Sequence, residues 1–283
     1  MNVTFTQQPP AKLNKIVVQL GRIGDILNII PACAALGLRN IVVGQQFQEL
    51  FSGFSYLRPH LWAGDLEDLA GAVQAAQGIA NQVLVPQLFG LRQPPGMSPR
   101  ARPSFVQDQW DRLQPGFGDI WGTLPLVVDT RVVHEVRCME ERAVRCSNYR
   151  MDRRMLVVSL DGISGPYPHA EELRRHLRHR WADRFDIVDL HRRLPRFLDI
   201  LGLYGSPQQN VAAGLIAIDS APLHLARAVP SLPVFQLLRP GPDGIPPLGP
   251  QATTQPYECR NWAALDVWLE SLTAGVMFDR GAV

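Results

Sequence analysis

The chain has 283 residues, 46% of them hydrophobic, and 28 Lys and Arg against 26 Asp and Glu leave a formal net charge of +2. That balance is too mild to mark a nucleic-acid binder, and no apolar run approaches the roughly 18 residues that a membrane-spanning helix needs. Four scattered cysteines (Cys33, Cys138, Cys146 and Cys259) offer neither a zinc spacing nor a disulfide framework.

The opening MNVTFTQQPPAK has none of the basic, apolar and cleavage regions of a secretory signal, so the expected setting is the reducing cytoplasm. Residues 1 to 13 read as an irregular lead-in. Lys15 to Leu20 is a short apolar run rich in β-branched residues, which predicts a buried strand. Gly21 and Gly24 interrupt it, and from Asp25 the apolar residues Ile26, Leu27, Ile29, Ile30, Cys33, Ala34 and Leu36 keep helical spacing. The unit is strand, glycine turn, helix, with Asp25 near the helix N-terminus, either as a cap or exposed at the mouth of a cleft. In an open parallel sheet such a turn lies at the carboxyl end of the strand, where ligands bind.

Asn40 to Val43 predicts a second strand and Gln46 to Phe51 a helical turn, while Leu57 to Trp62 is ambiguous. Leu66 to Ala80 reads as an alanine-rich helix, and Gln82 to Pro86 as a third strand, so the alternation implies βαβ units and a parallel sheet. Residues 86 to 125 are rich in proline, glycine and aromatics (Phe89, Phe105, Trp110, Phe117 and Trp121). They read as a long surface excursion with a short helix near Val106 to Leu113, serving either an acceptor substrate or plain padding across the first domain. Arg131 to Arg150 is charged and expected to be helical. The change of character at 150 to 154 sets the expected border between residues 1–150 and 151–283.

The second half repeats the opening. Met155 to Leu160 predicts a strand, Ala170 to Trp181 a helix, Phe185 to Leu190 a strand and Arg196 to Tyr204 a short helix. Leu215 to Ile218 is a buried strand ending in Asp219 and Ser220, and Pro222 suits the first turn of the helix that follows. Leu223, Leu225, Ala226 and Val229 supply the buried face of that helix, and His224 lies on it. A helix opening here offers unpaired N–H groups to a phosphate, with Ser220 adding a donor; a capped helix with a satisfied His224 reads equally well. Asp219 suits fixing the turn or contacting a neutral hydroxyl. Leu232 to Leu237 predicts a strand, and Trp262 to Leu272 a closing helix free to reach back to the first domain. Two Rossmann-like domains facing across a cleft fit this pattern better than one continuous sheet, and such a cleft suits a small-molecule site.

Together, RIGDILNIIPACAAL and GLIAIDSAPLHLARAVPSLPVFQLLRP resemble the lipopolysaccharide heptosyltransferase family. The first is similar to that family's glycine–aspartate turn and apolar helix with an early proline. The second is similar to its donor-site motif, in which an aspartate and a small hydroxyl residue lead into a helix bearing His-Leu-Ala. The resemblance spans residues 15 to 245. It implies a GT-B fold and an inverting, metal-independent transfer of sugar from a nucleotide-diphosphate donor. On that reading Asp25 is the general base, Gly21 and Gly24 keep the loop close to the donor phosphates, Ser220, Ala221 and His224 lie at the diphosphate, and Asp219 lies near the donor sugar. The nucleotide sugar is the donor substrate rather than a cofactor, and no metal is expected. The acceptor would be a glycan, a lipid-linked glycan or modified DNA.

The chain also departs from the family. Tyr167-Pro168 matches an aromatic–proline pair, but Gly165 and Pro166 stand where the family carries a lysine, and Ala221 replaces a glycine. The cation for the leaving group must come from elsewhere, with Arg22, His169 and Arg239 as candidates in that order. The basic run RRHLRHRW (174–181), with Arg184, Arg192, Arg193 and Arg196 nearby, reads as a solvated face. The alternative is a DNA-modifying glycosyltransferase that extrudes its target base. A further alternative is a non-catalytic nucleotide-binding or scaffold protein. A nicotinamide dehydrogenase fits poorly, because Gly21-x-x-Gly24 lacks the third glycine of the dinucleotide fingerprint.

Overall fold

A computed structural model describes residues 12–87, 104–129, 153–162, 166–190, 197–205, 211–239 and 245–274. The expected charged helix at 131–150 with Cys138 and Cys146, the border at 150, Gly165, and Arg192, Arg193 and Arg196 lie outside the described residues.

The first unit runs β1 (Leu13–Val18), α1 (Ile23–Ala35), β2 (Asn40–Gly44), a 3-10 segment (Gln45–Gly53), β3 (Arg58–Trp62), α2 (Leu69–Ile79) and β4 (Ala80–Leu84). Its strands form one parallel sheet in the order β3-β2-β1-β4. The ambiguous stretch 57–62 is therefore a strand, at the sheet edge, where its proline and histidine are tolerated. Asp68 sets the start of α2, accepting a hydrogen bond from the Gly71 N–H at 3.1 Å.

The second unit runs β5 (Arg154–Ser159), α4 (Ala170–Trp181), β6 (Phe185–Asp189), α5 (Phe197–Tyr204), β7 (Ala212–Ala217) and α6 (Ala221–Leu225), which continues as a 3-10 turn (Ala226–Ala228). Then come β8 (Val234–Leu238), β9 (Ala252–Pro256) and α7 (Ala263–Ala274). This sheet is parallel as well, in the order β6-β5-β7-β8-β9. Sequence patterning missed β9, whose ATTQP buries only Gln255, because an edge strand has little need of an apolar face.

Strand alternation sorts the side chains into three layers. Ile16 and Val18 of β1 face α2 in an outer core with Leu69, Ala72, Val73 and Ala76, whereas Val17 faces inward. In β5, Leu156 and Val158 face outward to Leu173, Leu177 and Trp181 of α4 and to Leu265, Trp268 and Leu269 of α7, whereas Met155 and Val157 face inward. The inward layers merge. Ile26, Leu27, Ile29 and Ile30 of α1 share one continuous core with Ala212, Leu215 and Ala217 of β7 and with Leu223, Leu225 and Ala226 of the second unit.

The described second half of the excursion belongs to this shared core, which corrects the expectation of a surface segment. In α3 (Phe105–Leu113), Phe105, Val106, Trp110 and Leu113 are buried there with Trp121, which lies beyond the 3-10 turn Phe117–Ile120. Its aromatics marked a core filler between the two sheets, not a loop exposed to solvent.

The closing helix α7 packs on the second sheet: Trp268 lies 5.4 Å from Phe235, and Trp181 Nε1 donates to Asp266 at 2.8 Å. Gly214 leaves room for it, since a Cβ there would stand 2.7 Å from the Trp268 ring. Gly214→Ala should lower stability by about 1–3 kcal/mol, read as a lower urea midpoint at an unchanged m-value, as overpacking of a core does.

Candidate active site

Each sheet has one topological switch point, between β1 and β4 in the first and between β5 and β7 in the second. Crevices form at such points on the carboxyl side of the strands. At the first, Gln87 follows β4 and its Oε1 accepts from the Leu20 N–H at 2.6 Å and the Gly21 N–H at 2.9 Å. This bond pins the turn after β1. Gly21 lies close to two side-chain ends: a Cβ there would lie 2.9 Å from Gln19 Nε2 and 3.0 Å from Asp25 Oδ2, so either would have to shift. Arg22, exposed and extended, is the N-cap residue of α1, and Asp25 is the third residue of the helix. The Asp25 carboxylate accepts the Arg22 backbone N–H, as in the return half of a capping box. The two readings of Asp25 therefore hold together: it caps its helix and stands half-buried at the seam between the units.

At the second switch point the Ser159 and Ser220 hydroxyls meet at 3.3 Å, and Ser220 Oγ donates to the Ile218 carbonyl at 3.2 Å. Ser220 starts α6 without a side-chain cap bond. His224 is buried on α6, with Nε2 3.4 Å from Asp219 Oδ1, while its Nδ1 is buried with no hydrogen-bond partner. The two switch points face each other. A Cβ on Gly24 would stand 3.5 Å from the His224 ring and 3.8 Å from the Ala221 backbone nitrogen. The space in front of Gly24 is thus bounded by a backbone N–H, an imidazole and, across the turn, a carboxylate.

Burial raises Asp25 from the ordinary 3.8 to about 6; Asp219 adds to the rise, while His224, Arg22 and the Arg22 N–H oppose it. A carboxyl group held there is ionised at neutral pH yet a better proton acceptor than a solvated aspartate. Tyr257, beyond β9, has its phenol raised by burial, with Arg239 opposing and Asp219 adding. Groups at the carboxyl ends of β7, β8 and β9 therefore share one field. Sequence reasoning missed Gln87 and Tyr257. Only the chain reversal after β4 and the unrecognised β9 would have shown them.

The structure brings Gly21, Arg22, Gly24, Asp25, Asp219, Ser220, Ala221 and His224 together. Arg239 is exposed at the rim. His169 is turned elsewhere, with Nε2 accepting from Arg260 Nε at 3.3 Å and Nδ1 3.7 Å from Glu172. The basic run on α4 is no uniform stripe: Arg174 is buried among Asp161, Asp189 and Glu171, Arg180 meets Asp266 at 3.4 Å, and Arg184 lies over Trp181. Among the described residues no group of three or more His, Cys, Asp or Glu converges as a metal site, and no helix is long and apolar enough to cross a membrane.

No family model matches the chain, and no curated protein matches its sequence. Among solved structures it is similar to the glycosyl transferase family 9 protein from Veillonella parvula DSM 2008, with a TM-score of 0.54 at 12% identity over 92% of this chain and 89% of that one. The E. coli heptosyltransferase WaaC with ADP matches with a TM-score of 0.48 at 13% identity over 92% of this chain and 100% of that one. The same enzyme with ADP-2-deoxy-2-fluoro heptose gives 0.46 at 13% identity, over 92% and 99%. The first of these likenesses bears on the fold. The chain has two Rossmann-like domains facing across a cleft, in the GT-B arrangement.

Because Asp25 holds its proton more tightly in the folded chain than the ordinary value of 3.8, its effect on stability has a definite sign. Below about pH 4 both states carry the proton and no penalty arises. Between the ordinary 3.8 and about 6 the unfolded chain gives up the proton while the folded carboxyl still holds it, so stability falls across that window and levels off once the folded carboxyl has ionised. Asp25→Asn should therefore raise the melting temperature at pH 8, by a stabilisation of about 1–3 kcal/mol, and leave it nearly unchanged at pH 4.

Proposed function

We propose that the protein is an inverting, metal-independent glycosyltransferase that moves a sugar from a nucleotide-diphosphate donor to an acceptor hydroxyl. The observation that carries this reading is Asp25: a carboxylate half-buried in the seam of a GT-B fold, tuned to about 6, facing the switch point of the other domain. The acceptor O–H gives its proton to Asp25 as its oxygen bonds to the anomeric carbon, and the bond from that carbon to the diphosphate breaks on the opposite face. One displacement with one base inverts the anomeric centre.

In this reading the space bounded by Gly24, the Ala221 N–H and His224 takes the diphosphate. The Ala221 backbone nitrogen borders that space, and Asp219 lies 3.4 Å from the imidazole beside it. With Gly165 and Pro166 where a lysine was expected, the cations within reach of the leaving group are Arg22 and Arg239 at the rim, and the imidazole of His224 when protonated. Aimed N–H groups and cations of this kind stabilise a departing oxyanion electrostatically. His169 is given up as a donor ligand because Arg260 and Glu172 engage it. The residue range 151–283 takes the donor and 1–150 the acceptor.

The test is a binding screen of nucleoside diphosphates and nucleotide sugars by thermal shift and calorimetry, since a ligand of the folded state raises its melting temperature. One nucleotide series should bind wild type and Asp25→Ala alike, and His224→Ala more weakly. With an acceptor in hand, Asp25→Ala should lose transfer by about 10²–10⁴-fold. Transfer by Asp25→Ala at the wild-type rate would remove the base from this account, and silence across a validated panel would leave a scaffold of the same fold.

A further inference from the structure

One residue on each side of the seam lies a helical turn beyond the site. Asn28 follows Asp25 by three positions on α1, and Arg227 follows His224 by three on the turn after α6. Both are buried, and the excursion between the domains engages both.

Asn28 is saturated. Its Nδ2 donates to Gln109 Oε1 at 2.6 Å and to the Val106 carbonyl at 3.3 Å, and its Oδ1 accepts from Trp121 Nε1 at 2.6 Å. Its backbone carbonyl accepts from Trp110 Nε1 at 2.8 Å. The faces of the same two indoles receive Arg227, whose guanidinium carbon lies 5.1 Å from the Trp110 ring and 5.4 Å from the Trp121 ring. Arg227 Nη2 donates to the Leu124 carbonyl at 2.9 Å, and its own carbonyl accepts from the Leu126 N–H at 3.2 Å.

Arg227 is 2% exposed, no described carboxylate pairs with it, and its Nε and Nη1 have no partner. A buried cation in this state is costly and is no device for plain stability; an apolar side chain of similar size would fill the gap at less expense. What it supplies is direction. Two ring faces and one carbonyl orient the guanidinium, and the same two indoles are bonded to Asn28 of α1.

We propose that Arg227 is a positioning residue which, clamped between Trp110 and Trp121 and tied through Asn28 to α1, locks α6 onto α1 so that His224 and Asp219 stay opposite Asp25. The spacing of the two helices is then held by residues 104–129 of the excursion. The catalytic meaning of the clamp rests on Asp25 acting as the base, but the clamp can be tested without that assumption.

Spin labels carried by unnatural residues at two exposed positions, Ile79 on α2 and Val267 on α7, report the distance between the domains in the ligand-free protein. The wild type should give one narrow distribution. Arg227→Met, which keeps volume and removes the cation, should broaden or lengthen it, and Arg227→Lys should restore much of the narrow form. Trp121→Phe, which keeps a ring but loses the bond to Asn28, should broaden it less. A lower melting temperature in Arg227→Met with an unchanged distribution would overturn the clamp and leave Arg227 a packing residue. A broad distribution in the wild type would overturn it as well. Neither outcome touches the assignment of Asp25, which fails or stands on transfer.

Discussion

Everything in this molecule depends on the packing of α1 against α6. Two parallel sheets each turn one face to the other, and between them lies one continuous apolar core instead of two separate ones. Each helix begins at the switch point of its own sheet, so pressing the two helices together brings the loops at both switch points into contact. Gly24 lies at this contact, where a Cβ would reach van der Waals distance of the His224 ring, 3.5 Å, and of the Ala221 nitrogen, 3.8 Å.

The chemistry follows from the packing. A carboxylate at the start of an exposed helix would be an ordinary acid stabilised by the helix N-terminus. Against a second domain the same carboxylate loses water, and burial outweighs the pull of His224, Arg22 and the capping N–H. The fold is less stable at neutral pH for holding this carboxylate in the seam, and a perturbed group in such a place is what the proposed role calls for. Gln87 holds the turn that leads into that helix, accepting from the Leu20 and Gly21 N–H groups.

Much of this was legible in the residues. Apolar runs of four to six residues alternating with helical periodicity gave the parallel α/β character, and most element bounds fell within a few residues of those observed, because buried central strands must be apolar on both faces. The strand–glycine–helix unit and Asp219–Ser220 placed both loops of the site, since turn chemistry is local. What was missed was non-local. The strand β9 at the sheet edge has no apolar face to signal it, and Tyr257 was lost with it. Trp110 and Trp121 sit in a stretch whose prolines and glycines read as a surface loop, and only their partners across the seam, Asn28 and Arg227, reveal them as core. Nothing in the sequence could say that His169 would be taken by Arg260, since that contact joins residues far apart in the chain.

The central claim is that the seam makes Asp25 a weak acid. A carbon-13 NMR titration of its side-chain carboxyl, assigned by comparison with Asp25→Asn, tests this without any substrate. The account predicts a midpoint near 6 in the wild type. A midpoint at the ordinary 3.8 would mean that water reaches the carboxylate freely, that the seam does not tune it, and that the proposed base is only a helix cap.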